Sequence, residues 1–205
     1  MIPDSEYNRQ VDERIRNNSR EVFGNYSRRN ARYIFSAFLK NATQSVSLLT
    51  GGMPTWFYSS KDEPQGEQVF DELKNTAQRL YADRHEAAAG AIRILAIHHA
   101  NPDGSNPPKR NAELDKLADE ITREVTAGVP VVQVRQAKYS ADPADIRHRL
   151  VVDHFRFRLE APHQEFDPEH PEDAVVAEVC CNNPEKSRSL EETFDRMWDL
   201  VAPKG

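Results

Sequence analysis

The strongest constraint on this 205-residue chain is a change of period along it. Helix-spaced and strand-like apolar segments alternate as far as residue 136, and after that strand follows strand directly. Before the change, Asn30–Thr43 places Ala31, Ile34, Phe35, Phe38, Leu39 and Ala42 on one stripe, which predicts a helix lying on a sheet. SVSLLT at 45–50 is short and largely apolar, and Gly51-Gly52 and Pro54 stop it, so it reads as a strand. Val69, Phe70, Leu73, Ala77 and Leu80 predict a helix near Glu67–Tyr81, and AIRILAIHH at 91–99 predicts a second strand. A Pro- and Gly-rich loop at 101–110 leads to a helix from about Ala112 to Thr126, ended by Gly128, and to a third strand at 130–136.

After a turn at Ser140–Ala144 the order changes. Two strand arms at 148–153 and 155–160 form a hairpin, a loop rich in Pro and acid follows, and AVVAEVCC at 174–181 is a further strand. Glu185–Val201 closes the chain as a helix with Leu190, Phe194, Met197 and Trp198 on one stripe. Parallel strands need crossover connections and antiparallel ones do not, so this order predicts an α/β fold with a mixed β-sheet flanked by helices on both faces. At the other end, Tyr7, Val11, Ile15, Val22 and Phe23 predict a weakly amphipathic N-terminal helical arm over residues 1–27, with the domain over 28–205.

A formal charge of −6 excludes a surface built throughout for nucleic acid and leaves room for a local basic patch. No apolar run approaches the ~18 residues that suggest a bilayer span, and the N-terminus lacks an export pattern, so the expectation is a cytoplasmic protein with no membrane span. Cys180 and Cys181 are neighbours on a strand and should point to opposite faces, which disfavours a disulfide between them.

The hairpin carries the densest chemistry. His148, Leu150 and Val152 share one face of its first arm, and Arg149, Val151 and Asp153 share the other. On the second arm Arg156, Arg158 and Glu160 oppose Phe157 and Leu159, a charged face suited to an anion groove. An apolar strand ending in Val151-Val152-Asp153, the strand after it, the acid-then-strand segment Glu172-Asp173-Ala174-Val175-Val176 and the closing helix together resemble a single domain of the phospholipase D-like superfamily, over about Arg28 to Val201.

The resemblance implies a His-x-Lys-x4-Asp motif, in which the histidine attacks phosphorus and cations steady the phosphoryl oxygens. Aligned on Asp153, the nucleophile position falls on Ile146 and the lysine position on His148; Leu159, Glu160, Ala161 and Pro162 stand where Gly or Ser and then Asn would be. Asp153 and Glu172 carry over. The family's single-motif members work as homodimers. What the resemblance implies for this chain is a non-catalytic subunit binding nucleic acid or another phosphate-bearing ligand through Arg147, His148, Arg149, Arg156 and Arg158, of the kind found in DNA-processing and phage-defence systems, without a cofactor and within a complex of protein subunits. One alternative is a metal-independent phosphodiesterase or nuclease using His148 as a displaced nucleophile with Asp153 and Glu172. The other is a scaffold that binds only protein.

Elsewhere, His98-His99 with Asp103 lies at a strand end but has no third ligand at metal spacing. His163 and His170 sit in the acidic loop, Gly51-Gly52 lacks a phosphate-binding pattern, Trp56-Phe57-Tyr58 suits core or dimer packing, and Arg28, Arg29 and Arg32 form a basic cluster at a helix start.

Overall fold

In the computed structural model, residues 4–25, 27–50, 64–99, 112–139, 147–161 and 177–201 are described. The chain runs α1 (Asp4–Arg16), β1 (Val22–Asn25), α2 (Arg28–Lys40), β2 (Val46–Thr50), α3 (Pro64–Arg84), β3 (Ile92–His99), α4 (Ala112–Glu120), β4 (Val132–Tyr139), β5 (Arg149–Val152), β6 (Arg156–Glu160), β7 (Ala177–Cys180) and α5 (Pro184–Leu200). The seven strands form one sheet in the order β1-β7-β6-β5-β2-β3-β4. β2, β3 and β4 are parallel, and every other pairing is antiparallel. This is the mixed sheet that the change of period predicts.

Helices cover both faces. The main core joins Val11, Ile34, Phe38, Leu73, Leu80, Leu114 and Ile121 to Leu48, Ile92, Ile94, Leu150, Val152 and Val179 on one face of the sheet. On the other face, α5 packs Phe194 and Trp198 against Leu49, Leu95 and Ile97, and Leu190 against Val151, Phe157, Leu159 and Cys180. Both cysteines are free and buried, Cys180 in the α5 layer and Cys181 in the main core, as alternation along a strand requires.

Local chemistry sets several boundaries. The Ser27 hydroxyl accepts from the Asn30 amide at 3.1 Å and starts α2. Asn183 caps α5, with Pro184 at its first turn. α4 ends in a π-helical turn, Ile121–Val125, after which Ala127 and Gly128 take positive φ angles of 50° and 90°.

The N-terminal residues differ from the expected arm. Helix ends at Arg16 and Val22–Asn25 is an edge strand paired with β7, while Tyr7, Val11 and Ile15 enter the main core. Val22 and Phe23 fall near helical spacing in the sequence. Their place in a strand comes from the free edge of β7, which local periodicity does not report.

Candidate functional site at the carboxyl edge of the sheet

β2, β3 and β4 point the same way, so their carboxyl ends define one edge of the sheet, the edge where open α/β sheets build their sites. β5 begins at that edge, because Arg149 pairs with Leu49 and Leu159, and β6 ends there at Glu160. Asn25 at the end of β1 is opposite Ala177 at the start of β7, which in turn faces Glu160.

Two groups meet here. On the main-core face, His148 Nδ1 lies 3.2 Å from Glu160 Oε2, and Glu160 Oε1 is 3.8 Å from Arg158 Nη2. Arg158 is buried, donates through Nε to Asn25 Oδ1 at 2.8 Å and stacks over the Phe35 ring at 5.5 Å. Burial pushes its guanidinium pKa down, and Glu160 and Tyr7 oppose that shift. The Glu160 amide donates to the His148 carbonyl at 2.9 Å, and Arg147 Nε donates to the Glu160 carbonyl at 2.8 Å, so both residues beside the strand end are anchored by backbone.

On the α5 face stands Arg149. It is 8% exposed, its Nη2 approaches Met197 Sδ at 3.5 Å, and its Nε has no partner among the described residues. Burial first, and the charge of Arg147 second, lower its pKa to about 10. A guanidinium held out of water beside a second cation is in an environment that an anion would relieve.

The opposite edge is filled differently. Asp153, with a side chain wholly out of solvent, accepts from the backbone amides of Thr43, Gln44 and Ser45 at 2.7–3.1 Å, from Thr43 Oγ1 at 3.0 Å and from Arg156 Nη1 at 3.1 Å. Its own amide donates to the Ser45 carbonyl at 3.0 Å. Arg156 also donates to the Asn41 carbonyl at 3.0 Å and covers the Phe155 ring at 4.5 Å. Here the carboxylate and its cation clamp the α2–β2 turn to the hairpin.

The fold therefore distributes the residues singled out in the sequence among three places. Arg147, His148, Arg149, Arg158 and Glu160 gather at the carboxyl edge, but Arg149 faces α5 while His148, Arg158 and Glu160 face the main core. Asp153 and Arg156 lie at the far end of the hairpin. Ile146 and Glu172 lie outside the described residues, as do Gly51-Gly52, Trp56-Phe57-Tyr58, Asp103, His163 and His170. The arginines thus do not share one open groove. β6 is a central strand with both faces covered, so its charged face is an internal one.

Other polar groups sit nearby in the fold. His98 Nε2 lies 2.8 Å from Gln136 Oε1 on the neighbouring strand. Arg29 pairs with Asp4 at 3.3 Å, and both line, with Arg32, a groove of about 800 Å³ between α1, α2 and α3 in which Asp12, Asp71 and Glu72 balance the cations. Sequence reasoning missed Asn25 and the contact between His154 and Glu191, because each joins segments more than 30 residues apart.

No family model and no curated protein matches this sequence. Solved structures do match it. The phospholipase D family member Nuc from Salmonella typhimurium aligns over 90% of this chain and 97% of its own, with a TM-score of 0.53 and 15% identity. Phosphatidylserine synthase from Haemophilus influenzae gives 0.51 at 8% identity, over 90% of this chain and 39% of that one. The archaeal chromatin protein TrmBL2 gives 0.50 at 10% identity, over 89% and 53%. The chain shares its fold with these structures, among them a phospholipase D family member.

Proposed function

We propose that this protein is a phospholipase D-like binding subunit that holds a phosphodiester, in nucleic acid, at the carboxyl edge of its sheet without cleaving it. The observation that carries the reading is Arg149, a buried cation beside Arg147 that meets no carboxylate among the described residues. A phosphate can accept from both guanidinium groups and neutralise their repulsion. The net charge of −6 opposes a polyanion at long range, so on this reading nucleic acid is held by the local cation pair. TrmBL2, which shares the fold, is described as binding DNA by a novel mode. Two copies meeting in a homodimer would double the contacts, and further protein subunits would supply whatever catalysis the complex performs.

Binding of fluorescently labelled duplex DNA in EDTA should weaken steeply with added salt. The double variant Arg147→Ala/Arg149→Met removes the contact to that one phosphate and should lower the slope of log K against log salt by about 1. Absence of binding, salt-independent binding, or an unchanged slope in the double variant would refute the proposal.

A second reading rests on the pair formed by His148 and Glu160. A carboxylate at 3.2 Å from Nδ1 orients the imidazole as a nucleophilic histidine requires, and Arg158 stands behind that carboxylate. If His148 is a displaced nucleophile, the protein cleaves a phosphodiester in EDTA and His148→Ala does not. Inert wild-type protein on DNA, RNA and a chromogenic diester removes this reading.

A further inference from the structure

Ser45, His154 and Glu191 come together at the edge of the sheet opposite the proposed phosphate site. His154 Nε2 lies 3.4 Å from Ser45 Oγ, and His154 Nδ1 lies 2.7 Å from Glu191 Oε2. Each residue is supplied by a different element and held there. Ser45 precedes β2, with its amide on Asp153 Oδ1 and its carbonyl on the Asp153 amide. His154 is in the hairpin turn, and Glu191 is buried on α5, its Oε1 without a partner among the described residues.

The histidine stands in a costly place. Asp153 and His154 have φ angles of 55° and 65°, as the central residues of a type I′ turn do, and Phe155 closes the turn by donating to the Val152 carbonyl at 3.3 Å. A residue with a Cβ in this conformation costs roughly 1–2 kcal/mol, which glycine would avoid. The side chain present there instead meets a buried carboxylate through one nitrogen and a hydroxyl through the other. A nucleophile, a base and a group that orients the base form a relay recognised by geometry, not by sequence order.

Ser45 and His154 open on a cavity of about 650 Å³, also lined by Gln44, Arg84, Arg93 and Gln133. From this geometry we infer that Ser45 is an activated nucleophile and that the cavity takes a small ester with a polar or anionic acyl group. Oγ attacks the ester carbonyl carbon while its proton passes to His154 Nε2. Collapse of the tetrahedral adduct breaks the ester C–O bond, and the Nε2 proton leaves with the alcohol. Water, deprotonated by the same imidazole, then releases the carboxylic acid and restores Ser45. The amides of residues 43–45 are occupied by Asp153, so stabilising the oxyanion falls to side chains that line the cavity, Gln133 together with Arg84 and Arg93, of which Arg84 also donates to the Gln44 carbonyl at 2.7 Å and Arg93 also pairs with Asp195 at 2.8 Å.

The test is covalent labelling of the intact protein by a fluorophosphonate, in which an Oγ–P bond replaces P–F and fluoride leaves, followed by peptide mass spectrometry. The wild-type protein should carry the adduct on Ser45. His154→Gly suits the positive φ and should keep the native circular dichroism and the salt-dependent DNA binding. It should label at least ~100-fold more slowly, the lower range for loss of a general base. Hydrolysis of p-nitrophenyl acetate should fall in parallel, and Glu191→Gln should slow both reactions. Natively folded wild-type protein without label on Ser45, or equal labelling rates in wild type and His154→Gly, overturns the inference.

Discussion

The two ends of the β5–β6 hairpin contain the same kinds of side chain in opposite electrostatic conditions. At the turn, Asp153 has its acceptors filled by three amides, a hydroxyl and Arg156, and the guanidinium of Arg156 is neutralised where it is desolvated. At the carboxyl edge, Arg149 is desolvated beside another cation and meets no carboxylate among the described residues; the buried Nε atoms of Arg149 and Arg156 alike have no partner there, so the two ends differ in charge compensation. A closed network of this kind holds architecture together. A charge buried without compensation lowers stability, and at Arg149 that cost is what the proposed phosphate contact would offset.

Three measurements put that contrast at risk. The largest effect is expected at the closed end. Asp153→Ala leaves three amides, the Thr43 hydroxyl and Arg156 without their acceptor, and should cost about 3–5 kcal/mol in a urea titration, the range for breaking a buried charge pair. A loss below 1 kcal/mol would mean that water replaces the carboxylate and that the network is not what joins the hairpin to the α2–β2 turn.

The open end should respond with the opposite sign. Arg149→Met removes the buried cation, keeps the length of the side chain and places a thioether beside Met197. It should raise the melting temperature by a few degrees, corresponding to about 1 kcal/mol for a domain of this size, while it weakens DNA binding. A lowered melting temperature would show that Arg149 already has its counter-charge in the protein.

The smallest effect concerns pH. Burial, with Cys180 adjacent, pushes the Cys181 thiol from its ordinary value of 9.0 up to about 12. In the unfolded chain the thiol ionises first, so the native state binds more protons and its stability is fully present below pH 9, then falls as pH rises towards about 12. Cys181→Ala should flatten the stability curve in that window. An unchanged curve would assign the alkaline loss to other groups, with Tyr33, raised to about 12 chiefly by its own burial, the first to examine.

Much of the fold was legible in the chain because it depends on local periodicity. The stripes in α2, α3 and α5 and the runs at β2, β3 and β4 are visible without tertiary information, and the passage from crossovers to a hairpin predicts the mixed sheet. The site was legible in part. Alternation along β5 and β6 assigned side chains to faces, but the charged face of β6, read in the sequence as suited to an anion groove, is buried at Arg158. Strand β6 lies between β5 and β7 under α1 and α2, and its charges are absorbed by Asn25, Glu160 and the Phe35 ring.

Sequence by itself thus determined the class of fold, the hairpin and the identity of the charged residues near its two ends, since these follow from spacing and turn chemistry. Tertiary structure decided which of those charges are spent. The ion-pair partners of Asp153 and Arg158, Arg156 and Glu160, are close in the sequence, but the hydrogen-bonding groups that complete their burial, the Thr43 amide and Asn25, lie more than 100 residues away, on turns and strands brought together only when the sheet closes. Whether a buried charge is compensated is a property of its neighbours in space, and that separates the architectural end of the hairpin from the end proposed to bind phosphate.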